Sequence, residues 1–267
     1  MLPSTDHTLK LLLASLLAAA LMAGCSLIPE KIDETKSWSA QRLYSEARDS
    51  INDGNYQTAL GYLDKIQARY PFGSYAQQAQ LDTVYVQFKD GEPDAAIAAA
   101  DRFIKANPRH PYVDYAHYMK GMANFERSNT MIERLAPSDR AKTDTATARQ
   151  SYNDFSELMR KFPNSPYAED AGQRILFLHN NLAAYEVNVA NYYLRRGAYV
   201  AAVGRAAYVL ANYARTPATE NALDIMTQAY IKMGMPKLAA DSLRVLERNY
   251  PQSPELPKLN ALINSAA

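Results

Sequence analysis

From residue 40 onward, stretches in which apolar residues recur three and four positions apart alternate with short polar breaks carrying glycine or proline. Leu60, Leu63 and Ile66 form one such series, and Ala239, Leu243 and Leu246 another. That spacing places the apolar side chains on one face of an α-helix, so the stretches predict amphipathic helices and not strands. The breaks are periodic. Asp53-Gly54-Asn55-Tyr56 recurs as Asp90-Gly91-Glu92-Pro93, and 91 − 54 = 37. Gly197-Ala198-Tyr199 recurs as Gly234-Met235-Pro236, and 234 − 197 = 37. Ala59 and Ala96 keep step with the first pair, Ala202 and Ala239 with the second, and the closing Tyr70-Pro71 and Asn107-Pro108 repeat the interval. Each period therefore reads as two helices joined at a glycine and ended by a proline, with small residues where the helices cross and larger ones, such as Leu63, Phe103 and Leu243, between units.

Gly or Ala, Tyr, Ala and Pro at these offsets resemble tetratricopeptide repeats. Tyr193 and Tyr230 fit that pattern, while Ser50 and Gln87 stand where it prefers Tyr. The implied fold class is all-α, a superhelical array of about five hairpins. The third unit departs from the period: Pro108 and Pro163 are 55 apart, and 55 − 37 = 18 residues are inserted. Its first helix is expected from about 114 to 125, its second from about 146 to 162, with a polar insertion at 129–144. The fourth unit, after Ser165-Pro166, holds an unusually long first helix from 167 to about 196, roughly 45 Å at ~1.5 Å per residue unless it breaks near His179. Units 1–3 would occupy 38–165, units 4 and 5 would occupy 166–251, and 252–267 would be a tail.

The N-terminus follows a different logic. Lys10 precedes an apolar run at 11–22, interrupted only by Ser15, which ends in Ala23-Gly24-Cys25. About a dozen apolar residues are too few to span a bilayer and suit a secretory leader. Small residues before the only cysteine of the chain resemble the lipobox of bacterial lipoproteins, with Met22 where Leu is usual. The resemblance implies cleavage after residue 24 and acylation of Cys25, and Ser26 in place of Asp implies sorting to the outer membrane, facing the periplasm. Residues 25–37 would be the lipidated terminus and its tether. One cysteine cannot form an internal disulfide.

Charge and side-chain chemistry narrow the function. Lys plus Arg number 29 against 28 Asp plus Glu, and loss of 1–24 removes only Lys10 and Asp6, so no nucleic-acid partner is expected. His110 and His117 could share a helix face, but no carboxylate or Cys completes a metal set, and His179 stands apart. No phosphate loop or nucleophile motif occurs, so no catalytic residue, metal or cofactor is expected, and a binding protein is favoured over an envelope hydrolase. If Ala59 and Ala96 mark equivalent sites, the first helices line a concave groove with Tyr44, Tyr85, Tyr115, Tyr118, Met122 and Phe125, a surface suited to an extended peptide with aromatic side chains. Arg102 or Lys120 would offer charge to the peptide terminus.

Multi-residue blocks carry a closer resemblance: Arg69-Tyr70-Pro71-Phe72-Gly73, Asp101-Arg102-Phe103-Ile104, Tyr118-Met119-Lys120-Gly121, Phe162-Pro163-Asn164-Ser165 and Arg196-Gly197-Ala198. In this order, behind a lipobox, they resemble the BamD (ComL) family of outer-membrane assembly lipoproteins, from about residue 38 to 251. The resemblance implies a periplasmic subunit of the β-barrel assembly machine that works with BamA and other barrel-assembly lipoproteins, and whose N-terminal repeats take targeting sequences of unfolded outer-membrane proteins. It implies BamA contact around Arg196, with Tyr193 and Tyr199 beside it. The family's acidic run in the insertion is only partly present, as Ser138-Asp139-Arg140-Ala141. An envelope scaffold for cell-wall or DNA-uptake machinery is the alternative. Two or more acyl chains hold a protein to a membrane far more firmly than one, at ~0.8 kcal/mol per buried methylene. Cys25→Ala is accordingly expected to move the protein from the membrane to the soluble fraction, and intact-mass measurement should show the acyl chains only on the parent chain.

Overall fold

The computed structural model describes residues 33–134 and 145–266. Cys25 and the leader before it lie outside the described residues, as do 135–144 of the expected insertion. Residues 33–39 belong to a unit of their own, in which Glu34–Ser37 make a short 3-10 turn. The Asp33 carboxylate caps that turn, accepting from the Thr35 backbone N–H at 3.1 Å and from its hydroxyl at 2.7 Å.

The second unit, from Ala40 on, holds eleven α-helices among the described residues. They are α1 (Ala40–Asn52), α2 (Tyr56–Arg69), α3 (Ser74–Lys89), α4 (Pro93–Ala106), α5 (Val113–Arg134), α6 (Ala146–Lys161), α7 (Ala168–Arg195), α8 (Tyr199–Asn212), α9 (Ala218–Lys232), α10 (Pro236–Asn249) and α11 (Leu256–Ala266). Successive helices pack as hairpins, five in all, and the first helices of neighbouring units also touch, α1 on α3, α3 on α5, α7 on α9 and α9 on α11. This is the all-α, tetratricopeptide-like array that the 37-residue period implies.

The four glycine bends are built alike. Gly54, Gly91, Gly197 and Gly234 have φ of 75°, 79°, 75° and 67°, the left-handed region where a Cβ is penalised. Each glycine N–H reaches back three residues, to Ile51, Phe88, Leu194 and Ile231. The next N–H reaches back five, from Asn55 to Ser50 at 2.8 Å, Glu92 to Gln87 at 3.0 Å, Ala198 to Tyr193 at 3.0 Å and Met235 to Tyr230 at 2.9 Å. This pair of bonds satisfies carbonyls that a helix C-terminus would otherwise leave bare. The acceptor is a backbone oxygen, which explains why Ser50 and Gln87 serve as well as Tyr193 and Tyr230.

The second helices carry a shared burial code. Counting back eleven positions from the helix-ending residues Tyr70, Asn107, Phe162, Tyr213 and Tyr250 gives Ala59, Ala96, Ser151, Ala202 and Ala239, each fully or almost fully buried. Four and seven positions further on lie Leu63 and Ile66, Ala100 and Phe103, Phe155 and Leu158, Ala206 and Val209, Leu243 and Leu246, all buried. Burying each of the larger of these side chains is worth ~1.5–3 kcal/mol. In the third unit Ser151 replaces the alanine and donates its hydroxyl to the Gly121 carbonyl at 3.0 Å. Gly121 has to be glycine, because a Cβ there would stand 2.6 Å from the Phe155 ring.

Two features differ from the sequence expectation, and one that it left open is decided. The first helix of the third unit runs to Arg134, so residues 129–134 are helical where an insertion was expected to have begun. The long helix α7 does not break near His179; its 28 residues span ~42 Å and touch α6, α8 and α9. The expected tail contains α11, whose Leu259 is fully buried against Leu223, Leu243 and Leu246, closing the last hairpin's apolar face.

Gly121→Ala is expected to destabilise the fold by ~1–3 kcal/mol through overpacking against Phe155. Gly61→Ala, in mid-helix with nothing within 4 Å of the new methyl, should raise stability by ~0.5–1 kcal/mol, and urea unfolding of both variants checks the contrast.

Candidate functional site

The first helices bring a set of tyrosines together on one side of units 1–3. Tyr75, Tyr112 and Tyr167 begin α3, α5 and α7 at equivalent positions, since 112 − 75 = 37 and 167 − 112 = 55, the same two intervals that separate the closing prolines. Each lies where a first helix starts, so it can reach the first helix before it. The Tyr75 ring is 5.6 Å from Tyr44 of α1, and Tyr167 lies 5.5 Å from Tyr115 and stacks on Tyr118 at 4.7 Å and 19°. Between these rings is a cavity of about 360 Å³ lined by Arg48 of α1, Gln78, Leu81, Asp82 and Tyr85 of α3, and Tyr112, Tyr115 and Tyr167.

The polar atoms of this surface are fixed from below. Asp82, almost fully buried, accepts from the Tyr44 hydroxyl at 2.8 Å and from Gln78 at 3.0 Å. Burial, and then the Asp82 carboxylate, push the Tyr44 hydroxyl up to about 12, with the nearby Arg48 guanidinium pulling the other way. Burial among other phenols raises Tyr115 strongly. The Tyr118 hydroxyl donates to Asp170 at 2.8 Å; burial raises it, while Arg174, bonded to the same carboxylate at 2.6 Å, holds Asp170 down. The tyrosines are therefore protonated donors on rigid mounts, presenting ring faces for stacking.

The structure divides the residues that the sequence placed in one groove. Tyr85 and Tyr115 line the cavity, and Tyr44 and Tyr118 support it through Asp82 and Tyr167. Met122 and Phe125 pack instead into the core shared by α6 to α9, and Phe125 lies beneath the Arg174 guanidinium at 4.8 Å. Lys120 does not face the cavity: it pairs with Asp101 at 2.8 Å and with buried Asp154 at 3.6 Å, and those carboxylates outweigh burial and raise its pKa. Arg102 is on α4 and lines a separate cavity with Gln80 and Thr83, on the other face of α3. The reason is helix order, since a residue of a second helix cannot reach the face formed by the first helices. The cation at the tyrosine cavity is Arg48, one turn after Tyr44; the i, i+4 spacing that joins them, like the i, i−3 spacing of Tyr85 and Asp82, was the available signal.

A second surface lies at the bend between α7 and α8. Arg196 is exposed, forms no ion pair among the described residues, and donates to the Tyr192 hydroxyl at 3.2 Å while lying 5.5 Å from that ring. Tyr193 and Tyr199 flank it with their rings half sunk in the core, and Val200 is 73% exposed. Deeper in the junction, Glu186 of α7 is buried, 1% exposed, and accepts from Arg149 of α6 and Arg205 of α8, each at 2.8 Å. Arg149 also donates to the Tyr213 hydroxyl at 3.0 Å, so one carboxylate ties three helices and the loop after α8.

Residues 36–246 match the family model described as outer membrane lipoprotein, YfiO. The chain is similar to the outer membrane protein assembly factor BamD of Neisseria meningitidis serogroup B, 41% identical over 249 residues, which cover 92% of this chain and 93% of that protein. It is 42% identical to that of Neisseria gonorrhoeae over 222 residues, 83% of each chain, and 34% identical to that of Vibrio cholerae over 237 residues, 89% of this chain and 97% of the other. No helix among the described residues is long and apolar enough to cross a membrane.

Two outcomes are expected at these networks. Glu186→Ala leaves two partly exposed arginines that can turn to water, and should cost less than the ~3–5 kcal/mol of a stranded buried charge; the Arg149→Ala, Arg205→Ala pair strands Glu186 and should reach that figure in urea unfolding. Because the Tyr44 pKa is raised from 10.0 to about 12, its contribution to stability is complete below 10 and is lost as pH climbs through about 12. Absorbance titration of the phenols should show Asp82→Asn lowering that transition.

Proposed function

Because the chain belongs to the family of outer-membrane lipoproteins that includes the BamD assembly factors, we propose that it is a non-enzymatic, lipid-anchored subunit of the outer-membrane β-barrel assembly complex, set on the periplasmic face. Its N-terminal units take the targeting segments of unfolded barrel proteins, and its fourth-unit bend docks on BamA beside the other assembly lipoproteins. The observation that carries the first part is the tyrosine cavity of units 1–3, whose rings are held in place by Asp82 and Tyr118.

A barrel strand outside its barrel is an extended segment with unpaired backbone edges and alternating apolar side chains, and it aggregates unless covered. Aromatic rings at fixed spacing can stack against those side chains without forming a permanent pair. Tyr85, Tyr112, Tyr115 and Tyr167 supply that surface, and Arg48 supplies the cation that meets a terminal carboxylate, in the role first given to Arg102 or Lys120. Weak capture suits handover, because a segment bound too tightly could not leave for the barrel. At the other surface the Arg196 guanidinium, without a carboxylate partner among the described residues, suits an acidic partner side chain on BamA, and Tyr193 and Tyr199 give it apolar shoulders.

Anisotropy titration with a labelled barrel C-terminal peptide is expected to show affinity falling about tenfold in Tyr85→Ala and in Tyr112→Ala. Unchanged affinity in both variants removes the cavity from the account. Arg196→Glu should sharply lower BamA recovery in detergent co-purification while leaving peptide affinity as it was; recovery equal to the parent chain would sink the docking assignment.

A further inference from the structure

A cavity of about 550 Å³ lies on the face of α3 opposite the tyrosines, between α2, α3 and α4. Its apolar floor is Ala99 and Phe103, both buried. Arg102 and Lys105, one helical turn apart on α4, stand at its mouth, and neither has an ion pair among the described residues. No acidic residue among the described residues lines it. The nearest acid in sequence, Asp101, is engaged by Lys120 at 2.8 Å.

The polar groups inside offer both a donor and an acceptor. Gln67 turns its amide nitrogen inward, to Thr83 at 3.2 Å and the Leu63 carbonyl at 3.4 Å, which leaves its Oε1 for the cavity. Gln80 does the reverse: its Oε1 accepts from Asn107 at 3.0 Å, which leaves its N–H groups. A sulfate or a fully ionised phosphate ester only accepts, so it would use Gln80 and the cations but lie against the Gln67 oxygen. A peptide group brings an N–H and a carbonyl together and satisfies both amides.

We propose that this cavity is a docking site for an extended, acidic peptide segment of a partner protein, bound by Gln67 and Gln80 through its backbone and by Arg102 and Lys105 through its carboxylates. Small apolar side chains of the segment rest on Ala99 and Phe103. A cation on the cavity rim adds attraction and speeds association, while the amides set register. The site is separate from the tyrosine cavity and does not depend on the role given to it, so one chain could hold two partners on opposite faces of α3.

The test is anisotropy titration of the full-length chain with two labelled, end-blocked peptides, one of alternating Ala and Glu and one of alternating Ala and Lys. The Ala–Glu peptide is expected to bind the parent chain at least about tenfold more tightly than the Ala–Lys peptide, and the Arg102→Glu, Lys105→Glu pair should reverse the order. Gln80→Leu, which keeps every charge, should also weaken the Ala–Glu peptide, and Tyr85→Ala should not. Circular dichroism on each variant establishes that the fold is kept. Indifference of the Ala–Glu peptide to charge reversal overturns the proposal. So does a charge effect without a Gln80→Leu effect, which would mean diffuse surface attraction, or a loss in Tyr85→Ala. Charge reversal in the Cys25→Ala chain that abolishes flotation with phosphatidylglycerol vesicles but leaves peptide binding intact would assign the face to lipid and overturn it as well.

Discussion

Two helices can lie close along their whole length only if one presents almost nothing where they cross. In this chain that position is Ala59, Ala96, Ser151, Ala202 or Ala239, and everything else follows from keeping it filled by a small residue. A methyl or hydroxymethyl group there lets Leu63, Phe103, Phe155 or Leu243 reach the next unit. A left-handed glycine fixes the turn that brings the crossing into register. Four positions further on the side chain varies, Leu63, Ala100, Phe155, Ala206 or Leu243, and at the bulkiest of these Gly121 on the partner helix gives up its own side chain to admit Phe155.

Close crossings put the second helices on one side of the array and the first helices on the other, and the two sides differ in chemistry. The first-helix side of units 1–3 carries Tyr44, Tyr85, Tyr115 and Tyr118, with Tyr75, Tyr112 and Tyr167 repeating at the helix starts, anchored by the buried Asp82 and the half-buried Asp170. The second-helix side carries Arg102 and Lys105 above amide side chains. A repeat array thus presents two unlike surfaces without a second domain.

Charge inside the array marks its joints. Asp154 joins α5 and α6 through Lys120 and Asn124, and Glu186 joins α6, α7 and α8 through Arg149 and Arg205. Buried ion pairs contribute little net stability compared with apolar contacts, but breaking one side costs several kcal/mol, so they fix geometry more than they add strength. They sit at the third and fourth units, where the long helix α7 packs on α6, α8 and α9.

The sequence by itself determined the helical class, the 37-residue unit, the bends at Gly54, Gly91, Gly197 and Gly234, and the extra length of the third and fourth units. Those features are local, set by side chains within one or two turns of the residues concerned, and so they can be read along the chain. Which side of the array each residue faces was decided only by tertiary structure. Arg102 and Lys120 read as groove cations and Met122 as a groove residue, because period alone does not say what stands beside a helix; the neighbours proved to be Gln80, Asp101 and the α6–α9 core. The Glu186 junction joins residues 37 and 19 positions away, and Tyr118 meets Asp170 across 52. Pairings at such separations exist only once the hairpins have stacked, since it is stacking that removes water and makes one partner the only one within reach.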